Sequence, residues 1–335
     1  MRESVRRFKA VLDARAGFFT SYVLRAHHPE APYALWLRYS ITQPPGQEEG
    51  VMGECWGVFF DGRQEAHTVV RKIVPREEVF FAPDQLDVRL GSAVLNTDTA
   101  RGEADLNPDH MTWQIDFTGN EPPVFLLPPR WYEKAFPRSK SLVLLPLARF
   151  EGSLEVNGKK HVIDGWKGSI NHHWGRKYTG EYAWGQVAGF DTHPDSFLEA
   201  ATSCLRWGPL KSPNVTPVVF RHRGEEFAFN TFFHLCDSRG SFSESVWVFR
   251  AEMRGVRIEG TISGHKGGFV GLPYRNPSGG LKYCLNTQLA ACEVRFEDSR
   301  GNRSVRETLF ARHRAAFEIV TNRTDLSIAV AGLGT

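Results

Sequence analysis

The feature that most limits what this chain can become is a hydrophobic period of two. From His110 to Phe117, apolar Met111, Trp113, Ile115 and Phe117 alternate with His110, Thr112, Gln114 and Asp116. An extended strand turns such a run into one dry face and one wet face. The same reading gives strands over Tyr33 to Ile41, Cys55 to Phe60 and Glu65 to Val74, the last two joined at Asp61-Gly62. It resumes over Leu142 to Leu147 and Gly152 to Val156. Asn157-Gly158 then predicts a type I′ hairpin into His161 to Ile163, because both central residues of that turn need positive φ. Between these runs lies a Pro-rich passage in which Pro122, Pro123, Pro128 and Pro129 forbid central-strand pairing.

The second half repeats the style. Strands are expected over Tyr182 to Ala188, Phe197 to Leu205, Pro217 to His222 and Glu226 to Phe232, then Val246 to Met253 and Val256 to Ile262. Tyr283 to Leu289, Cys292 to Glu297 and Thr308 to Val320 complete the set, with Gly224 and Gly255 at hairpin turns. Only the N-terminus reads as a helix, where Val5, Phe8, Val11 and Leu12 recur at helical spacing and Gly17 stops the run. Many short strands with Gly turns predict an all-β fold of sandwiches or barrels. The length suits two lobes, and no sequence repeat relates them. The boundary is expected near residue 165, giving an N-terminal lobe (1–165, with the short helix) and a C-terminal lobe (166–335).

Charge excludes one class of partner. Forty-one basic residues oppose 38 acidic ones for a net +3, which gives no field for a nucleic acid. The one basic cluster, Arg6, Arg7 and Lys9, reads as the solvated face of the helix. Cys55, Cys204, Cys236, Cys284 and Cys292 are scattered and free of CxxC spacing, as core thiols in a reducing compartment would be. No apolar run is long enough for a membrane span, and Met1 to Gly17 lacks the apolar stretch of a secretory signal. A cytoplasmic protein is the expectation.

One segment is unlike the rest. Asp164 to Phe190 (DGWKGSINHHWGRKYTGEYAWGQVAGF) packs Trp, Tyr, His, Asn and Gln closely together. As two strands, it places Ile170, His172 and Trp174 on one face, and Tyr182, Trp184 and Gln186 on one face of the next. Rigid aromatic walls with a few polar tips suit a small-molecule cavity; they equally suit the packed core of a barrel corner. Three carboxylates lie near. Glu199 sits inside an otherwise small, apolar strand beside Phe197, Ala201 and Ser203, so burial would raise its pKa into the range of a general acid, unless its face is turned to solvent. Glu181 and Asp191 read as loop-edge residues.

Other chemistries lack their residues. In His27-His28 and His172-His173 the neighbours face opposite sides of a strand, so neither pair chelates a metal as a unit. There is no G-x-S-x-G elbow for a hydrolytic serine. Gly267-Gly268 and Gly279-Gly280 are turn glycines with no following helix to hold a phosphate. The loop that carries them reads as a surface connection or as a cover for a pocket mouth.

The pattern G-x-x-N-H-x-W-G, followed by a short loop and Y-x-W, resembles a signature of a lipocalin-like superfamily. That superfamily includes AttH-like proteins, carotenoid 1,2-hydratases of the hydroxyneurosporene synthase type, tocopherol cyclases and lipocalin-like Diels–Alderases. The matching residues are Gly168, Asn171, His172, Trp174, Gly175, Tyr182 and Trp184, and Trp36, Arg38 and Tyr39 resemble its opening strand. The resemblance implies two lipocalin-like lobes and alkene hydration, cyclisation or pericyclic ring closure without metal or organic cofactor. The substrate would be a hydrophobic isoprenoid or polyketide-like molecule. On that basis His172, Asn171 and Glu199 are the expected catalytic residues, and Trp174, Tyr182, Trp184 and Gln186 the substrate-binding ones. Hydratase-like members carry Asp where this chain has Asn171, and an amide cannot act as the acid. That departure favours ring closure over hydration. The alternatives are a non-catalytic carrier of an apolar molecule and a structural protein whose motif packs the lobe interface.

Overall fold

The computed structural model describes residues 14–47, 49–82, 85–178, 180–207, 210–302 and 304–332. The helix expected at the N-terminus falls almost wholly outside them. Ala14–Ala16 makes one 3-10 turn, and Gly17, at φ +69°, leads directly into the first strand.

The first sheet contains β1 (Phe18–His27), β2 (Tyr33–Gln43), β3 (Met52–Asp61), β4 (Ala66–Val74), β5 (Val79–Phe81) and β6 (Val88–Leu90). It continues with β7 (Ala93–Leu95), β8 (Thr99–Leu106), β9 (Asp109–Thr118), β10 (Ser139–Val156) and β11 (Lys159–Gly175). Their order is β4-β3-β2-β1-β11-β10-β9-β8-β7-β6-β5, and pairing of Arg71 with Asp105 joins β4 to β8, closing eight strands into a barrel. The second sheet holds β12 (Tyr182–Ala188), β13 (Phe197–Trp207), β14 (Leu210–Val215), β15 (Val218–His222), β16 (Glu225–Phe229) and β17 (Arg239–Phe242). With them are β18 (Val246–Met253), β19 (Val256–Ser263), β20 (Val270–Arg275), β21 (Leu281–Asp298) and β22 (Val305–Thr321). Its order is β16-β15-β13-β12-β22-β21-β19-β18-β17, with β14 on β13 and β20 on β21.

The two sheets share a plan. In each, the first strand pairs with the last, β1 with β11 and β12 with β22. In each, the closing hairpin is built of strands of 18 and 17 residues and is bulged, between Val143 and Ala148 in one and between Thr287 and Cys292 in the other. A structural repeat is present where no sequence repeat is readable. β11 runs through residue 165 and pairs within the first sheet along its whole length. The chain changes sheets later, between Gly175 and Tyr182.

Alternation holds where one face is wet. Along β9, Met111, Trp113, Ile115 and Phe117 are buried inside the barrel, while Gln114 and Asp116 are exposed. It fails where both faces are covered: β1, β2 and β3 are buried almost throughout, because their outer faces pack on the second sheet. That is why β1 has no period-two signature to mark it as a strand. Bulges explain two further differences, since Leu142 to Leu147 and Gly152 to Val156 merge into β10, and Tyr283 to Leu289 and Cys292 to Glu297 into β21. The strand expected to run to Phe232 ends at Phe229, and α1 (Phe232–Asp237) follows.

Two irregular segments bridge the sheets. The Pro-rich passage makes a single bridge, Val124 to Val143, and crosses to the second sheet. There Arg221 donates to the carbonyls of Pro122 (2.6 Å) and Pro123 (3.0 Å), and Asn230 Nδ2 to that of Phe125 (3.0 Å). The Gly-rich loop contains β20, whose Leu272 and Tyr274 are buried with Trp36 and Trp56 between the sheets. It is a structural wedge with Tyr274 at the cavity described below.

The signature glycines have a packing explanation. A Cβ on Gly168 would lie 1.8 Å from the Arg25 carbonyl oxygen, and one on Gly175 would lie 2.2 Å from that of Arg138. Only a hydrogen fits there. Gly168→Ala is expected to lose at least about 3 kcal/mol of stability. Gly180→Ala, with nothing within 4 Å, should stay within about 0.5 kcal/mol of wild type. Urea unfolding midpoints of the two variants test the difference.

Candidate functional site

The outer faces of β1, β2 and β11 meet one face of β12, β13 and β22. The cross-strand register fixes who is displayed: Asn171, Val23 and Arg38 form one row, and His173, Ser21 and Ser40 the next. Opposite them stand the rows Glu318, Trp184, Ala201 and Val320, Tyr182, Ser203. Between the sheets lies a cavity of about 770 Å³. Its roof comes from Leu126, Leu127, Trp131 and Phe136 of the Pro-rich passage, and from Phe232 and Leu235 of α1.

Of the residues singled out from sequence, Asn171, Tyr182 and Trp184 line this cavity. Gln186 and Glu199 share the face of Trp184 but lie one layer back. Gln186 Nε2 donates to Asn171 Oδ1 (3.4 Å), and the single proton of Ser169 Oγ is shared between Asn171 Oδ1 (2.9 Å) and Gln186 Oε1. With its carbonyl oxygen engaged, Asn171 has its amide N–H groups left to donate. His172 and Trp174 are not at the cavity. They face the barrel interior, where His172 stacks between Tyr22 (4.2 Å) and Trp174 (4.5 Å) and its Nε2 meets Thr20 Oγ1 at 2.8 Å. Burial holds the His172 pKa well below its usual value, so it is a neutral core residue. Its neighbour His173 is the one that lines the cavity, with Nε2 2.7 Å from Ser139 Oγ. Burial, with Arg38 and Arg25 nearby, pushes His173 down to about 3. It stands there as a neutral hydrogen-bonding group.

The electrostatics follow from burial. Arg25 Nη2 reaches Glu318 Oε1 across the sheets at 2.8 Å, and its guanidinium sits 4.3 Å over the Trp184 ring. The Trp184 indole donates to Glu199 Oε1 at 3.1 Å, while Glu199 Oε2 is buried without a hydrogen-bond partner. Burial raises the Glu199 carboxyl from 4.5 to about 7, against the lowering effect of Trp184 and Arg25. Its face is turned inward and the group is protonated at mildly acidic pH. Trp184 stands between it and the cavity.

Sequence reasoning missed Arg25, Arg38, Glu318 and His173. A signal existed: each of the first three is a lone charge in an apolar strand run (YVLRAH, LWLRYSI, AAFEIV), the same criterion that singled out Glu199. For a metal, one group among the described residues brings donors together. His193, His222 and Glu307 lie within 4.8 Å of one another, but Glu307 is already bound by Arg223 and His222.

Glu199 gives a pH test. Between pH 4.5 and 7 the unfolded chain releases a proton that the folded chain keeps. Stability contributed by this group is therefore full below 4.5 and falls as pH rises, by roughly 3 kcal/mol across the window. Glu199→Gln removes that fall, so its stability relative to wild type should rise between about pH 5 and about pH 8. Urea unfolding at both pH values checks the sign.

No protein-family model matches the chain. Over 185 residues it is 23% identical to an uncharacterized protein of Mycobacterium tuberculosis, in strains CDC 1551/Oshkosh and H37Rv. The match covers 55% of this chain and 55% of the relative, so the chain spans about half the length of the curated relatives it matches. Among solved structures it resembles a protein of Nitrosomonas europaea assigned as AttH, at TM-score 0.55 and 13% identity, covering 91% of this chain and 92% of that one. Kievitone hydratase from Nectria haematococca matches at TM-score 0.54 and 13% identity, with 94% of each chain covered. CghA with Sch210972 matches at 0.53 and 9% identity, covering 91% and 89%. At such identities the likeness establishes the fold: this is an all-β chain of two lipocalin-like lobes, built as the AttH, kievitone hydratase and CghA structures are over nearly its whole length.

Proposed function

We propose that the protein is a cofactor-independent enzyme of the hydratase or cyclase kind, acting on a hydrophobic isoprenoid or polyketide-like molecule held between its sheets. The observation that supports this most is the cavity itself. Its size suits a molecule of that class, its roof is apolar, and its polar groups are gathered on the two sheet faces. Kievitone hydratase and CghA with Sch210972 share the fold, which agrees with small-molecule chemistry in such a frame.

Within that class the arrangement favours ring closure. The one carboxylate that lines the cavity among the described residues, Glu318, is tied to Arg25, and the acid of suitable pKa, Glu199, is screened by Trp184. Protonating an alkene would need a route past that ring. Ring closure needs only a folded substrate conformer, which rigid walls supply by restricting its freedom. Tyr182 and Trp184 would form those walls. Asn171, its carbonyl oxygen held by Ser169 and Gln186, would donate to a substrate carbonyl as electron density builds there.

Native mass spectrometry with organic extraction tests the reading. Wild type should carry a polyene, prenylated ring or similar molecule that Trp184→Ala loses. With the class so named, Asn171→Ala should lower kcat about 10²-fold while binding persists. A ligand retained through Asn171→Ala with no turnover in wild type identifies a carrier. No ligand, even after challenge with isoprenoid and polyketide lipids, rejects the cavity reading.

A further inference from the structure

Arg38 is a guanidinium on the cavity wall to which the described residues give contacts but no counter-ion. It lines the cavity, is 4% exposed, and forms no ion pair among the described residues. Its Nη2 donates to the Tyr178 hydroxyl, its plane lies 3.9 Å over the Tyr274 ring, and its Nη1 is buried without a partner. The carboxylate whose charge acts on it, Glu54, is spoken for: Arg71 donates to its Oε1, and Arg275 Nε lies 3.9 Å away. Arg71 and Arg275 therefore already share that carboxylate. Elsewhere on the wall, Arg25 is neutralised by Glu318, Lys140 Nζ donates to the Lys134 carbonyl, and Arg239 Nη1 donates to that of Ser238. A buried charge without a partner is costly, and a planar fork clamped by an aromatic ring and a hydroxyl is set to receive a planar anion.

We infer that the ligand is an amphipathic acid: an apolar body in the cavity with one carboxylate, or an equally acidic enolate, held by Arg38 over Val23 with the Asn171 amide beyond. The inference rests on the inter-sheet cavity being the ligand site. It adds that a neutral hydrocarbon or alcohol of the same shape is a poor ligand, because it leaves the guanidinium unpaired.

Fluorescence titration with cis-parinaric acid and its methyl ester, two polyenes that differ only at the head group, tests this on the full chain. Wild type should bind the acid at least about tenfold more tightly than the ester. Arg38→Met should bring the two within about threefold, and Arg38→Lys should give a preference between those of wild type and Arg38→Met, since it keeps the charge but not the planar fork. Equal binding of acid and ester by wild type, or a preference that survives Arg38→Met, overturns the inference and leaves Arg38 as a brace between the sheets. If neither probe binds, the cavity reading itself falls as well. Should Arg38→Met fail to fold, the wild-type comparison and Arg38→Lys still decide.

Discussion

One ion pair pins the contact on which the site depends. Arg25 belongs to the first sheet and Glu318 to the second, and their side chains are 5% and 9% exposed. Taking two charges out of water costs several kcal/mol apiece, and their attraction offsets this only when the geometry is good and further contacts satisfy the remaining atoms. Here the indole of Trp184 lies against the guanidinium, whose Nε and Nη1 are buried without a hydrogen-bond partner, and the Cys284 thiol meets the second Glu318 oxygen at 3.8 Å. An apolar contact between two sheet faces tolerates sliding; a buried pair with one good arrangement does not. The pair therefore selects the register in which Asn171 of one lobe faces Tyr182 and Trp184 of the other.

The location of the cavity follows from how the barrel is filled. Eight strands enclose room for their own side chains or for one small ligand, and here side chains take it: Trp113 donates to Tyr39 at 2.8 Å, and Tyr22, His172 and Trp174 stack in a row. Space for a ligand is left outside, where the faces of the two sheets meet and the Pro-rich passage roofs the gap. Proline suits that passage because it lacks the N–H groups that an unpaired, partly buried segment would otherwise strand.

How much of this was legible depended on which faces are wet. β9, β12 and β18 read cleanly; in β9 and β18 one face meets solvent, and in β12 the flanking loops mark both ends. β1 did not, because its Ser21 and Arg25 face a second sheet rather than water, and a strand buried on both sides carries no alternation. The same blindness governed the site. Alternation correctly put Ile170, His172 and Trp174 together and Tyr182, Trp184 and Gln186 together. It contains nothing that says which of the two faces of β11 meets the second strand's aromatic face, and the aromatic-rich face of β11 was the barrel core. Glu199 was legible as a buried acid from its apolar neighbours alone. What hides Glu199 from the cavity is the ring of Trp184, a matter of side-chain rotamer that no spacing encodes.

The signature segment therefore does several unrelated jobs within one strand. Gly168 and Gly175 let neighbouring backbones approach closer than any Cβ allows, His172 and Trp174 fill the barrel, and Asn171 and His173 face the gap between the lobes. Most of these positions serve the barrel and its contact with the second sheet, so the segment specifies a fold strongly. On β11 only Asn171 is both matched to the pattern and placed at the cavity, and it is an amide rather than an acid. A pattern built that way can be strong for architecture and weak for chemistry. The chemistry proposed for the cavity rests instead on the residues around it: the lone charges of β1, β2 and β22, and the roof.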